Sequence, residues 1–177
     1  LRCLVGSEMC IRDRLRRLIV HNSVYDVLLE KLKSAYASLP VGDNFKEETL
    51  VGPLINQESA DRMLSVLEQA KAKGYTVHGG EVVEGCTVRP AIVEATEQCD
   101  LIKTETFAPI LYVLKYTDLE EAINIHNAVP QGLSSCIFTD NVQEAETFTS
   151  AVGSDCGIVN INICLLYTSD AADEWLR

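Results

Sequence analysis

The chain has 177 residues and a formal net charge of −11, with 15 Lys plus Arg against 26 Asp plus Glu. Its 47 % hydrophobic content suffices for a packed core and argues against intrinsic disorder. An acidic chain with scattered cations is unsuited to nucleic acid or anionic membrane surfaces, and no run of about 18 uncharged apolar residues is present to span a bilayer.

In chain order, the first segment reads as foreign to the fold. Met9-Cys10-Ile11-Arg12-Asp13 near the start and Cys164-Leu165-Leu166-Tyr167-Thr168-Ser169 near the end can both be written, with a suitable choice of codons, as one inverted-repeat DNA string read on opposite strands. That string resembles the transposase mosaic-end adapter of sequencing libraries, and the flanks LVGSE (4–8) and DAADE (170–174) resemble its longer arms. Residues 1–14 and 164–177 are therefore expected to be adapter-derived, leaving residues 15–163 as the natural segment, of single-domain size.

Within that segment RRLIV (16–20) reads as a short strand leading to Ser23, the expected N-cap of a helix over about 24–39. Its apolar face is Val24, Val27, Leu28, Leu32, Ala35, Tyr36 and Leu39, and Pro40 stops it. Asn56 is expected to cap a second helix carrying Met63, Leu64, Leu67 and Ala70, stopped by Gly74. Strands are then predicted at 76–78, 87–88, 91–93 and 110–114. Asp118 and Glu121 open a helix to about Ala128, a strand follows at 134–138, and Asn141 caps a helix through Val152. CGIVNIN (156–162) reads as a buried closing strand. Strands alternating with helices predict an α/β fold with a largely parallel sheet.

Chemistry-bearing residues are sparse. Seven cysteines form no C-x-x-C pair and no zinc-ligand spacing with histidine, so no metal site is expected and the thiols read as reduced and intracellular. His21, His78 and His126 neighbour no serine, aspartate or cysteine pattern of a catalytic triad and are expected to be structural. The adjacent pairs Glu47/Glu48 and Glu120/Glu121 point in different directions and read as solvated charge. Gly79-Gly80 matches no phosphate-binding loop. The unusual stretch is TETFAPI (104–110): residues two apart share a face of an extended segment. Glu105 could then accept hydrogen bonds from a ribose diol while Phe107 stacks on a flat ring; a turn glutamate and a core phenylalanine is the plainer alternative.

Taken together, LRRLIVH (15–21), VGPLI (51–55), HGG (78–80), RPAIV (89–93), ETFAPI (105–110), QGLSSCIFT (131–139) and GSDCGIVNIN (153–162) resemble the catalytic domain of NAD(P)-dependent aldehyde dehydrogenases. Alanine at 108 in place of the commoner glycine, and the SDCGIVN run, are most similar to the antiquitin branch, the α-aminoadipic semialdehyde dehydrogenases. The resemblance implies oxidation of an aldehyde or semialdehyde through a cysteine thioester, with NAD as cofactor and NADP as the alternative. It implies that Glu105 holds the nicotinamide ribose and that Phe107 packs near the nicotinamide. It also implies a homo-oligomer acting on a small aldehyde, in the cytoplasm or mitochondrion.

No catalytic residue carries over. The family's nucleophile falls three positions before Leu15, where this chain has Arg12, and Cys10 is two residues out of register. The general-base glutamate, oxyanion-hole asparagine and nucleotide domain would precede residue 15, and the loop closing the aldehyde pocket would follow Ile163. Cys86, Cys99, Cys136 and Cys156 are expected to be core or surface thiols, Cys156 standing before the strand that leads to that loop. The chain is thus expected to be an inactive fragment of an oxidoreductase, with a non-catalytic structural or interaction module as the alternative.

Overall fold

The computed structural model describes residues 15–130 and 132–163. The adapter-like segments, with Cys3, Cys10, Arg12 and Cys164, lie outside the described residues, as does Gln131. The chain divides into two compact units, one of them Arg16–Tyr116 and the other containing the described residues from Thr117 onward.

The first unit runs β1 (Arg17–His21), α1 (Asn22–Ala37), α2 (Gln57–Ala72), β2 (Thr76–Gly79), β3 (Val82–Glu84), β4 (Thr87–Val88), β5 (Ala91–Ala95), α3 (Asp100–Lys103) and β6 (Ile110–Tyr116). Its main sheet has the order β1-β6-β5-β2. β1 and β5 both run parallel to β6, and β2 closes the edge antiparallel to β5. The two central strands are unbroken apolar runs because both of their faces are covered. Ala91, Ile92 and Val93 are fully buried, and all five residues from Ile110 to Leu114 are buried as well. Helix α2 adds Ala60, Met63, Leu67 and Ala70 on one stripe, close to the predicted face. Asn56 caps it by accepting from the Ser59 amide at 2.8 Å, and left-handed Gly74 follows its end. The predicted largely parallel α/β sheet with flanking helices is therefore present.

Two details of α1 differ from expectation. Ser23 is not the N-cap: β1 runs straight into the helix, and His21 Nδ1 accepts from the Ser23 amide instead. The buried stripe is Tyr25, Leu29 and Leu32, while Val24 and Val27 face outward. Both stripes are apolar, so periodicity alone could not choose between them. Tyr25 gains the Lys115 ammonium over its ring at 4.1 Å.

The second unit contains α4 (Leu119–Asn127), β7 (Ser134–Ile137), α5 (Val142–Thr149) and β8 (Ile158–Ile161). The Asp118/Glu121 capping box forms: Asp118 accepts from the Glu121 amide at 2.9 Å, and Glu121 accepts from the Thr117 amide at 2.8 Å. Asn141 caps α5 as predicted, but the helix ends at Thr149 rather than Val152. Thr149 and Ser150 turn their hydroxyls onto main-chain carbonyls of Ala145 and Thr147, which competes with helix continuation. Strand β8 pairs in parallel with β7 alone, so it is not the buried strand its composition suggests. Ile158 and Ile161 remain 39 % and 40 % exposed.

Sheet edge β2 is tied to its neighbours by one carboxylate. Glu94 on β5 accepts from His78 on β2 at 2.5 Å and from Lys33 on α1 at 3.0 Å. Burial alone would push the Glu94 carboxyl up, but these two donors hold it below its ordinary range. A carboxyl so lowered stabilises the fold above its unfolded value, and that stabilisation disappears as pH falls through the lowered value. Glu94→Gln is therefore expected to cost about 1 kcal/mol at pH 6 and to flatten the loss of stability between pH 5 and pH 3, measured by urea unfolding.

Candidate functional site

The segment between α3 and β6 is positioned from both ends. Thr104 folds its hydroxyl back on the Asp100 carbonyl at 2.9 Å and leaves α3 in extended conformation. At the other end the Ala91 amide donates to the Pro109 carbonyl at 2.8 Å, extending the sheet pairing one residue beyond β6. Arg16 anchors the entrance by donating to the Lys103 carbonyl at 2.7 Å.

Between these anchors the side chains alternate. Thr106 and Ala108 are buried, whereas Glu105 and Phe107 are exposed. Glu105 and Phe107 are thus both exposed, as the first expectation requires and the core-phenylalanine alternative does not: Phe107 is 62 % exposed. No hydrogen bond or ion pair among the described residues engages the Glu105 carboxylate. Phe107 also has φ of +54°, a left-handed conformation that costs a bulky L-residue roughly 1–2 kcal/mol. Strain combined with an uncovered ring is not explained by packing within the unit, and such outliers gather at ligand sites.

Beneath the segment lies Tyr112 on β6, fully buried, whose hydroxyl makes no hydrogen bond among the described residues. Burial pushes this phenol above its ordinary range, with the neighbouring Thr106 side chain and the Arg16 charge pulling the other way. Nothing in the pattern of the sequence signalled this orphaned hydroxyl, since a tyrosine in a buried strand reads simply as core.

The histidines are less uniform than expected. His21 caps α1 and His78 pairs with Glu94, both structural roles. His126, which neighbours no triad-like pattern in the sequence, is brought by the fold to serine and cysteine side chains. Its Nε2 stands 2.8 Å from Ser154 Oγ and 3.5 Å from Cys156 Sγ, residues 28 and 30 positions away in sequence. Long-range pairing of this kind has no local spacing to reveal it.

Cys86, Cys99, Cys136 and Cys156 are free thiols. Burial pushes the Cys136 thiol up. Burial acts the same way on Cys99, but the Tyr75 hydroxyl, the Ile102 and Leu101 amides and the Lys73 charge outweigh it and hold that thiol below its ordinary range. Among the described residues no cluster of three metal-ligating side chains occurs, and no helix is long and apolar enough to cross a membrane. An open cleft of about 410 Å³ at the carboxyl ends of β7 and β8, lined by Thr139, Asn141, Glu146 and Asn162 among others, contains neither histidine nor cysteine.

Known proteins resemble this chain over most of its length. The model of the aldehyde dehydrogenase family matches residues 7–172. A putative aldehyde dehydrogenase family 7 member A1 homolog from Caenorhabditis elegans is 47 % identical over 154 residues, which is 84 % of this chain and 29 % of the relative. The α-aminoadipic semialdehyde dehydrogenase of Bos taurus is 42 % identical over 152 residues, covering 84 % and 28 % of the two chains. Among solved structures, an NAD-dependent benzaldehyde dehydrogenase from Corynebacterium glutamicum superimposes with a TM-score of 0.79 at 34 % identity, covering 93 % of this chain and 35 % of that one. The chain spans about a third of the length of the curated relatives it matches.

The strain at Phe107 can be measured directly. Phe107→Ala and Phe107→Gly remove the same ring, but only glycine relieves the left-handed backbone, so the glycine variant is expected to be the more stable of the two by about 1 kcal/mol in urea unfolding. Equal stabilities would remove the strain argument.

Proposed function

The chain belongs to the aldehyde dehydrogenase family, and from that premise we propose that its parent protein oxidises an aldehyde or semialdehyde to a carboxylate with NAD or NADP. The single observation that carries the site assignment is the unengaged Glu105 carboxylate on the same face as the exposed, strained Phe107. A carboxylate without a protein partner is free to accept two hydroxyl donors, and a ring with an open face is free to pack against a flat heterocycle. Both features fit a nicotinamide riboside, so the residues present suit the group the family uses.

When bound, NAD supplies the hydride acceptor for aldehyde oxidation. This chain's own contribution is to bind and orient. Glu105 fixes the ribose diol through charge-assisted hydrogen bonds, and Phe107 restricts the plane of the attached ring. Thr106 and Ala108, buried on the opposite face, keep these two side chains directed outward. Similarity to the semialdehyde dehydrogenases supports a semialdehyde as substrate. The parent protein would assemble as a homo-oligomer, because a unit with exposed β8 isoleucines leaves apolar surface to be covered.

The 177-residue chain itself would be inactive. With residues 1–14 and 164–177 of adapter origin, the family's nucleophile position is occupied by Arg12, and guanidinium attacks no carbonyl at neutral pH. Two measurements test the proposal. The uninterrupted natural gene, expressed and assayed for NADH at 340 nm, is expected to oxidise a semialdehyde. In it Glu105→Gln is expected to raise the KM for NAD about tenfold, the loss of one charge-assisted hydrogen bond, with the aldehyde KM unchanged. NADH production by the 177-residue chain, abolished by Cys10→Ser, would overturn the inactivity and the register argument together.

A further inference from the structure

The second unit contains a histidine–cysteine pair that the cofactor assignment does not use. Cys156 follows α5 and precedes β8, and its Sγ lies 3.5 Å from Nε2 of His126 in the last turn of α4. The same nitrogen is 2.8 Å from Ser154 Oγ, which in turn is 2.7 Å from Ser135 Oγ on β7. Four side chains from three parts of the chain thus form one line of proton-exchanging groups.

The backbone holds them there. Asn127 receives the Asp155 amide at 2.9 Å and donates to the Gly153 carbonyl at 2.8 Å, which clips the turn carrying Cys156 to the end of α4. The Gly157 amide donates to the Gly132 carbonyl at 2.9 Å, and any side chain at position 132 would run into the Asp155 carbonyl. Only glycine permits this approach. Cys156 is half-exposed between exposed Asp155 and exposed Gly157.

We propose that Cys156, with His126 as its general base, is a nucleophilic thiol that adds to neutral electron-poor alkenes, the class that includes α,β-unsaturated aldehydes. In the addition the sulfur–carbon bond forms at the β-carbon as the carbon–carbon π bond breaks. Nε2 of His126 takes the thiol proton and returns it to the α-carbon, so nothing else is consumed or released. The hydroxyl pair serves both states of the ring. With Nε2 bare, Ser154 donates to it; with Nε2 protonated, Ser154 accepts from it and turns its own proton toward Ser135. The proton on His126 also sits at the carbonyl end of α4, where a cation is favoured.

Charge selects the electrophile. Residues 117–163 contain seven Asp or Glu and no Lys or Arg. Asp155 is next to the thiol, so an anionic reagent approaches against the field while a neutral one does not.

The test is peptide mapping by mass spectrometry after brief exposure of the intact 177-residue chain to limiting N-ethylmaleimide at pH 7. Cys156 is expected to take the label about tenfold faster than Cys86, a modest share of what a positioned base supplies, and to prefer iodoacetamide over iodoacetate more strongly than Cys86 does. His126→Gln is expected to slow Cys156 about tenfold with Cys86 unchanged. Should that variant unfold, seen as faster labelling of half-buried Cys136, Ser154→Ala decides: it removes the hydroxyl that accepts from protonated Nε2 and is expected to slow Cys156 about fivefold, one hydrogen bond, with Cys86 unchanged. A Cys156 rate no greater than that of Cys86, a rate indifferent to His126→Gln in a folded chain, or a rate undiminished in Ser154→Ala would each overturn the proposal.

Discussion

Burial of β5 and β6 on both faces is the constraint from which the rest of the first unit follows. Once Ala91, Ile92 and Val93 lie against the Ile110 to Leu114 run with no exposed face, neither strand can slide by one residue without exchanging its entire set of covered side chains. That fixes where β6 begins. Just before it the chain turns, with left-handed Phe107 and the Ile110 amide on the Ala108 carbonyl, and Ala108 and Thr106 are buried while Phe107 and Glu105 are exposed. The core thus fixes the end of the segment that carries Glu105 and Phe107, through Pro109 and the amide of Ala91 that holds it. Large apolar area, worth roughly 25 cal/mol per Å², outweighs the one strained residue at 107 many times over.

How much of this was legible in the sequence depends on the range of the interaction involved. Asn56, Asp118 and Asn141 were readable as caps because a cap is settled within three residues. The central strands were readable because unbroken apolar runs flanked by Pro90 and Pro109 leave few alternatives. His21 was not readable as a cap, since the usual gap between strand and helix is missing and Ser23 is the better residue by propensity. The outward turn of Val24 and Val27 was hidden for a related reason: Tyr25, Leu29 and Leu32 form an equally apolar stripe, and only the sheet decides which one it covers. The site divides in the same way. Glu105 and Phe107 were visible through local spacing, whereas the strain at Phe107, the orphaned Tyr112 hydroxyl and the His126–Cys156 pair depend on backbone paths that no local pattern encodes.

The two units also carry different electrostatic characters. Several cations of the first unit pair with carboxylates, Lys33 with Glu94, Arg62 with Glu58, Lys71 with Glu68 and Lys115 with Asp26, so those charges act at short range. Residues 117–163 have no Lys or Arg with which to form such pairs. Their carboxylates are instead spent on main-chain amides and hydroxyls: Asp118 and Glu121 on the start of α4, and Glu144 on the Thr139 hydroxyl. An unpaired acidic field acts at the range of the Debye length, about 10 Å at 0.1 M salt, rather than at contact distance.

That difference bears on how a histidine can be placed. In the first unit His78 meets a carboxylate directly and becomes part of the scaffold, because Lys33 already shares the same oxygen and fixes its position. In the second unit Nε2 of His126 faces the Ser154 hydroxyl, itself in line with the Ser135 hydroxyl, and the Cys156 thiol. A carboxylate only accepts, so a ring facing it has no freedom to present a bare nitrogen there. A ring held by hydroxyls keeps that freedom, because a hydroxyl can donate or accept with a rotation about one bond. The same residue type is therefore a fastener in one unit and, on the proposal above, a proton carrier in the other, and what separates the two roles is what faces Nε2: a carboxylate oxygen in one, a hydroxyl and a thiol in the other.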